Sequence, residues 1–260
     1  MRETIGIARY EYLMQIRRWG LWVSCGLLTG LFCFFLVSQP DKVGQQLGPT
    51  SWALGANLIS LLNILTPVAA GVLIADRFPR DHQLHMSEML GTALPSSWAL
   101  VIGRCLGSLV AALTPALLVL LPASTYLALY VKMPAALLTL PITFLMLVVP
   151  TWLFFSAWSL IFPLVMPLRL YQVLFAGFWL WAIYINPNIF PTIDNSIIDP
   201  SGEYARYAFF IHDQAAAASF HPGDSVSWAI VNMVWLVGTA IIALVLLPAV
   251  LRWREKRSGT

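Results

Sequence analysis

The residues most able to do chemistry lie in one polar stretch, Asp76–Ser97. Within it His82, His85 and Glu88 recur every third residue, as H-x-x-H-x-x-E. On a helix this spacing places three donor groups near one face, which is the arrangement that a metal ion such as zinc requires. A solvated polar face of a surface helix has the same pattern. The solvated face is the simpler interpretation of this shared pattern, so we predict that these residues hold no metal.

Sequence motifs of common enzymes are absent from the chain. It contains no G-x-x-x-x-G-K-[ST] loop to hold nucleotide phosphates and no H-E-x-x-H zinc motif. The G-x-S-x-G motif that positions a nucleophilic serine is also missing. We therefore predict no catalytic residue and no cofactor on this chain.

The composition indicates a chain that lies in lipid. Hydrophobic residues make up 59% of the 260 residues and charged residues only 10%, whereas soluble domains carry about 25% charge. A membrane-crossing helix needs about 20 mostly apolar residues. Six segments meet this requirement within a single transmembrane domain, 1–260, and they lie at about 19–38, 52–75, 98–130, 135–165, 170–185 and 228–251.

The distribution of Lys and Arg predicts the orientation. Basic residues concentrate in the cytoplasmic segments of membrane proteins. With the N-terminus inside, only Lys42, Lys132 and Arg206 of the fifteen basic residues fall in outer segments. An even number of spans then places both termini in the cytoplasm.

The pattern of the first 18 residues predicts an amphipathic helix at the membrane interface. The apolar side chains recur at helical spacing, at Ile5, Ala8, Tyr12, Leu13 and Ile16. Charged side chains fall mostly elsewhere around this helix, and they include Arg9, Glu11, Arg17 and Arg18. The alternative is a simple run of positive charge that only fixes the topology.

Two of the predicted spans carry side chains suited to contacts between helices. In the second span Asn57, Ser60, Asn63 and Thr66 recur every third residue. Polar groups in lipid must face protein or water, so this stripe either lines a pathway or bonds to a neighbouring helix. In the third span Gly103 and Gly107 form a G-x-x-x-G pair, which lets helices approach closely.

Two connections between spans are predicted to contain short helices. In the inner loop Pro79 suits the first turn of a helix that runs from about Arg80 to Leu90, with Gly91 as its stop. In the outer loop Asp199-Pro200-Ser201 is typical of a helix start, and apolar residues follow at helical spacing. We expect one or two short outer helices there. They can dip back into the membrane where protein or water surrounds them.

Ionisable groups are nearly missing from the predicted spans. Carriers driven by protons or ions usually need such groups inside the membrane. If the chain transports a substrate, its energy should therefore come from another chain.

The sequence DRFPRDHQLHMSEMLGTALPSSWALVIGR resembles the corresponding stretch of ABC-2-type transporter permeases, the membrane subunits of type V ABC exporters. This family has an acidic–basic start, a short helix ending in a leucine-rich turn, a Thr/Ser-x-Pro-like step and a Gly-Lys/Arg pair in the third span. Here those places are taken by Asp76-Arg77, Arg80-Asp81, Glu88-Met89-Leu90, Thr92, Pro95 and Gly103-Arg104. His85-Met86-Ser87 stands where the family often has a Gly-Thr pair.

The resemblance implies an all-α integral membrane subunit with six transmembrane helices, in the bacterial cytoplasmic membrane. Two permease subunits would form a homo- or heterodimer above two ATP-binding cassette ATPase subunits, which hold ATP and Mg. A cytoplasmic coupling helix would contact the ATPase through Asp76, Arg77, Arg80, Asp81, Leu84, Glu88 and Leu90. The substrate pathway would be lined by the polar stripe of the second span and, from the fifth, by Phe175, Trp179 and Trp181.

Two other functions remain open at this stage. One is a membrane-embedded enzyme or metal-handling protein that uses His82, His85 and Glu88. The other is an assembly subunit that transports nothing. None of these functions involves nucleic acid.

Overall fold

The described part of the chain is built from helices. The structure, a computed structural model, describes residues 2–20, 22, 23, 26, 50–76, 97–185, 190–193, 196–211 and 226–258, and no strand occurs among them. The helices are α1 (Arg2–Ile16), α2 (Ser51–Ala75), α3 (Ser97–Leu129), α4 (Ala136–Val165), α5 (Leu168–Tyr184), α6 (Glu203–Phe210) and α7 (Val226–Ser258).

Four of these helices are long and apolar enough to cross a membrane, and they coincide with the second, third, fourth and sixth predicted segments. They cover Ser51–Val72, Trp98–Leu129, Ala136–Val165 and Val226–Trp253. Helix α5 occupies the fifth predicted segment, but it has only 17 residues. The described part of the chain is therefore compatible with an all-α membrane protein. Most of the first segment, 19–38, and the predicted coupling helix, Arg80–Leu90, lie outside the described residues.

Helices α2 and α4 run parallel in close contact. Thr139 Oγ1 donates a hydrogen bond to the Ser51 carbonyl at 3.3 Å, and Asn63 Nδ2 donates to Thr151 Oγ1 at 3.4 Å. Both pairs are 88 residues apart in sequence, which is what two parallel helices in constant register produce. Helix α3 lies between them in the chain, so this direction agrees with helices that alternate across a membrane.

Helix α7 has one buried side and one broad exposed apolar side. Ala240, Ala243 and Leu247 are completely buried, whereas Val234 is 65% exposed. The exposed side continues through Ile241, Ile242, Val245 and Leu246. Large exposed apolar surfaces of this kind are typical of contact with a membrane or a partner protein.

Helix α1 packs on α3 through the predicted glycine pair. A Cβ atom built on Gly103 would lie 2.8 Å from Ile7 Cβ, and one built on Gly107 would lie 2.6 Å from Glu11 Cβ. The absence of side chains at these two positions thus permits the close approach. Small residues at this spacing serve the same purpose in other helix pairs of membranes.

A polar cluster closes the same contact. Gln15 Nε2 donates a 3.0 Å hydrogen bond to Ser108 Oγ, which lies 3.4 Å from Glu11 Oε1. All three side chains are at most 6% exposed. Apolar Ile5 and Leu13 stay exposed on α1, where a lipid surface could cover them.

Candidate functional site

Residues 196–211, here called the α6 segment, lie along α2. The ring of Phe210 stacks on Trp52 near the start of α2, with centroids 5.8 Å apart. At the other end, the Ser201 carbonyl accepts a 2.7 Å hydrogen bond from Asn63 Nδ2. Helix α6 is therefore antiparallel to α2. At a rise of 1.5 Å per residue, the distance along α2 from Ser51 to Asn63 is about 18 Å, and the α6 segment follows α2 over this length. A short helix is thus present between α5 and α7, packed among the long helices, and its place on the outer side stays a prediction.

The polar stripe of α2 meets an ion pair on α6. Arg206 Nη1 lies 2.6 Å from Glu203 Oε1, and both side chains are less than 20% exposed. Ser60 Oγ donates to the same carboxylate oxygen at 2.7 Å and accepts from Arg206 Nη1 at 2.9 Å. The second terminal nitrogen of Arg206 donates to the Tyr207 hydroxyl at 2.9 Å. Hydrogen bonds to charged groups are stronger than neutral ones, so this cluster holds α6 firmly on α2.

Two asparagines on different helices hold the loop before α6. Asn63 of α2 bonds to the Ser201 carbonyl, as described above. Asn232 Nδ2 of α7 donates to the carbonyl oxygens of Ile197 and Asp199, both at 2.8 Å. Asn63 is 2% exposed and Asn232 is completely buried. The loop is therefore fixed to two different helices through its own backbone.

The turn into α6 depends on Asp199 and on a glycine. Asp199 Oδ1 accepts from the Ser201 amide at 2.9 Å, and Asp199 Oδ2 accepts from the Ser201 hydroxyl. Short-range bonds of this kind are how aspartate forms turns. Gly202 follows with a φ of +85°, in the left-handed region that favours glycine. Helix α6 then begins at Glu203, later than the Asp199-Pro200-Ser201 pattern alone predicts.

The residues of the predicted polar stripe have different surroundings. Ser60 and the side-chain NH₂ of Asn63 bond to the α6 segment, whereas Asn63 Oδ1 is buried with no hydrogen-bond partner among the described residues. Thr66 Oγ1 donates to the Leu62 carbonyl of its own helix at 2.6 Å. Asn57 is half-buried. Whether a substrate passes along this stripe stays a prediction.

The predicted aromatic residues of α5 form a cluster with α4. Trp179 is completely buried, and its ring is perpendicular to that of Phe155, with centroids 4.7 Å apart. Phe175 also contacts Phe155, at 5.2 Å, and its ring lies against Gly71 of α2. This cluster ties α5 to both α2 and α4. Trp181 lies nearer the surface and donates from Nε1 to the Pro191 carbonyl.

A cavity of about 480 Å³ opens beside this aromatic cluster. It lies between α4, α5, α7 and the residues Ile193, Ile198 and Pro200. Its walls are mainly aromatic, and they include Trp158, Phe162, Phe175, Phe178 and Trp235. The volume is within the range of about 300–1,000 Å³ for pockets that bind small molecules. Of the predicted pathway residues, only Phe175 lines it.

The opposite end of α2 carries a second ion pair. Arg18 Nη1 lies 3.4 Å from Asp76 Oδ2, so the residues after α1 are joined to the last turn of α2. Of the other residues predicted on the interfacial helix, Glu11 is buried against α3, and Arg9 and Arg17 are exposed. The remaining predicted coupling residues, Arg77, Arg80, Asp81, Leu84, Glu88 and Leu90, lie outside the described residues.

The alternative metal site cannot be located on this structure. His82, His85 and Glu88 all lie outside the described residues. Within the described part of the chain, no group of three His, Cys, Asp or Glu side chains is arranged to hold a metal ion.

Sequence reasoning did not single out Glu203, Arg206 or Asn232. The first two form an i,i+3 pair of opposite charge on a helix, a pattern that is visible in sequence. Asn232 is a polar residue early in a long apolar segment, which in a membrane protein indicates a specific partner.

Comparison of the chain with protein-family models, with curated proteins and with solved structures found no match.

Proposed function

We propose that the chain is the membrane-embedded permease subunit of an ATP-binding cassette exporter. In this proposal two permease subunits form the pathway in a bacterial cytoplasmic membrane, with both termini in the cytoplasm. A separate ATPase subunit hydrolyses ATP with Mg. The predicted coupling helix between α2 and α3 receives the movement of that ATPase.

The observation that carries the proposal is how the flanks of this inner segment are connected. The Arg18–Asp76 ion pair joins the end of the N-terminal region to the residue where α2 ends. Helix α1 also packs on the first part of α3, at Gly103 and Gly107. A force applied between Asp76 and Ser97 would therefore act on α1, α2 and α3 together. A membrane subunit driven by a soluble motor needs such a connection.

The distribution of ionisable side chains also favours an external source of energy. Helices α2 and α4, which form a closely packed pair, contain no Asp, Glu, His, Lys or Arg. The acidic Glu203 that reaches α2 is paired with Arg206. Proton- and ion-coupled carriers usually place ionisable groups within their membrane-spanning helices, and α2 and α4 have none. ATP hydrolysis on a partner chain would supply the missing driving force.

Copurification tests the proposal directly. The tagged chain would be extracted from membranes of its own host in a mild detergent and the bound proteins identified. We expect an ATP-binding cassette ATPase in stoichiometric amount, with ATP hydrolysis in the eluate. A matched tagged protein with six unrelated transmembrane helices serves as the control. Recovery of the chain without any ATPase, together with a stoichiometric metal that is lost in His82→Ala, would overturn the proposal.

A further inference from the structure

The cavity between α4, α5 and α7 has chemistry that selects its ligand. Its described lining contains no Asp, Glu, His, Lys or Arg side chain. The two hydroxyl groups on the wall are already used, because Tyr171 shares a 2.7 Å hydrogen bond with Ser159 and Thr239 donates to carbonyl oxygens of its own helix. A charged or strongly polar group placed there would lose its hydration without compensation. The part of the ligand inside the cavity must therefore be apolar.

The cavity is open on a side that is itself apolar. Leu174 and Trp235 line the cavity, and they are 52% and 46% exposed. Their neighbours Val173 and Val234 are also exposed. A ligand that arrives through this surface would come from a hydrocarbon phase, because an aqueous ligand would find no polar rim in the described lining.

We infer that this cavity binds the acyl chain of a lipid. The headgroup stays outside, where polar or charged groups remain hydrated. This binding goes beyond the proposed transport function, because it requires neither nucleotide nor a partner ATPase. The lipid can be a resident of the membrane or an acylated substrate, since both present the same chemistry to the cavity.

Photolabelling in vesicles tests this site. The purified chain would be placed in phosphatidylcholine vesicles that contain a phosphatidylcholine with a photoreactive diazirine on its acyl chain. We expect labelled residues on the cavity wall, including Phe162 and Phe178. Filling the cavity with Thr239→Trp should reduce that labelling by roughly fivefold. The control is Ile242→Trp on the same helix, where an exposed residue outside the cavity is enlarged, and wall labelling should not change. Equal labelling of the wall in wild type and Thr239→Trp would overturn the inference.

Adding the partner ATPase with ATP distinguishes the two sources of the lipid. Labelling that is unchanged by ATP supports a resident lipid, and labelling that falls during ATP hydrolysis supports an acylated substrate. The vesicle experiment itself contains no ATPase. A failure of the transport proposal therefore leaves its result intact, and the two failures are distinguishable.

Discussion

Ser60 Oγ in α2 donates a 2.7 Å hydrogen bond to Glu203 Oε1 in α6, across 143 residues of sequence. The contact joins a neutral polar stripe on a long apolar helix to an ion pair on a short inserted one. Arg206 Nη1 donates hydrogen bonds to both of these atoms, Ser60 Oγ and Glu203 Oε1. The stability of the α6 segment should therefore depend on this cluster, and the dependence can be measured.

Removing one charge of the Glu203–Arg206 pair should destabilise the protein. Glu203→Gln keeps the shape but leaves Arg206 with an unbalanced, partly buried charge. We expect a loss of about 1–3 kcal/mol, less than for a fully buried pair because both groups retain some exposure. Thermal unfolding in detergent measures it, and Glu3→Gln, at an exposed position of α1, should change stability by less than about 0.5 kcal/mol.

The double variant Glu203→Gln, Arg206→Gln provides the stricter test of coupling. Removing the second charge also removes the imbalance, so the double variant should cost less than the sum of the single variants. Strictly additive costs would show that the two charges do not interact, contrary to the geometry.

Asn232→Ala should loosen the loop before α6. The substitution removes the donor to the carbonyl oxygens of Ile197 and Asp199, and buried carbonyls without donors cost on the order of 2–3 kcal/mol in total. Hydrogen exchange of the peptide that covers 196–211 should become at least tenfold faster in consequence. Thr239→Val, on the same helix, removes a hydroxyl that bonds only to its own helix among the described residues, so exchange in the loop should not change. Slow exchange in Asn232→Ala would contradict the role assigned to this side chain.

Gly202→Ala should be destabilising for a reason confined to the backbone. At a φ of +85° a side chain costs about 1–2 kcal/mol, and the added Cβ would also lie 3.4 Å from the Leu147 carbonyl oxygen. Gly238→Ala is the control, since a Cβ there meets nothing within 4 Å and the position is helical. That change should be neutral or stabilising by up to about 1 kcal/mol. Equal unfolding temperatures for the two variants would be incompatible with the left-handed turn.

Gly107→Ala tests the contact between α1 and α3. The added Cβ would meet the backbone carbonyl of Ala8, which can give way less easily than a flexible side chain. We expect α1 to separate from α3, with faster proteolysis near Arg9 and Arg17, which are already exposed. Gly177→Ala, where a Cβ meets nothing within 4 Å, should leave the cleavage rate as it is in the wild type. Unchanged proteolysis of Gly107→Ala would mean that the close approach is not required.

The helices could be predicted from sequence because their signals are local. The segment 135–165 is continuously apolar, and the observed helix is Ala136–Val165. Its three prolines do not end it, in keeping with the tolerance of membrane helices for proline when neighbouring helices surround them. Hydropathy and length depend on the segment alone, so they carry this information without knowledge of the fold.

The partners of the polar groups could not be predicted in the same way. The stripe at Ser60 and Asn63 indicated that something polar faces it, but nothing near these residues identifies α6 as the partner. Asn232 bonds to backbone carbonyl oxygens, which every residue possesses and which leave no signal in sequence. The cavity is likewise formed by residues from three helices and a loop, and its existence depends on how they pack.

The Arg18–Asp76 pair allows the proposed coupling to be separated from stability. Both side chains are partly exposed, so the pair should contribute no more than about 1 kcal/mol to folding. Arg18→Asp should therefore leave unfolding nearly unchanged. If the pair transmits movement from an ATPase, the same variant should uncouple ATP hydrolysis from transport in the reconstituted complex, because like charges then repel. The exchanged variant Arg18→Asp, Asp76→Arg should restore coupling. Arg17→Asp is the matched control, because Arg17 is the preceding residue and its side chain is exposed. This variant should behave as the wild type. Full transport in Arg18→Asp would remove this ion pair from the mechanism.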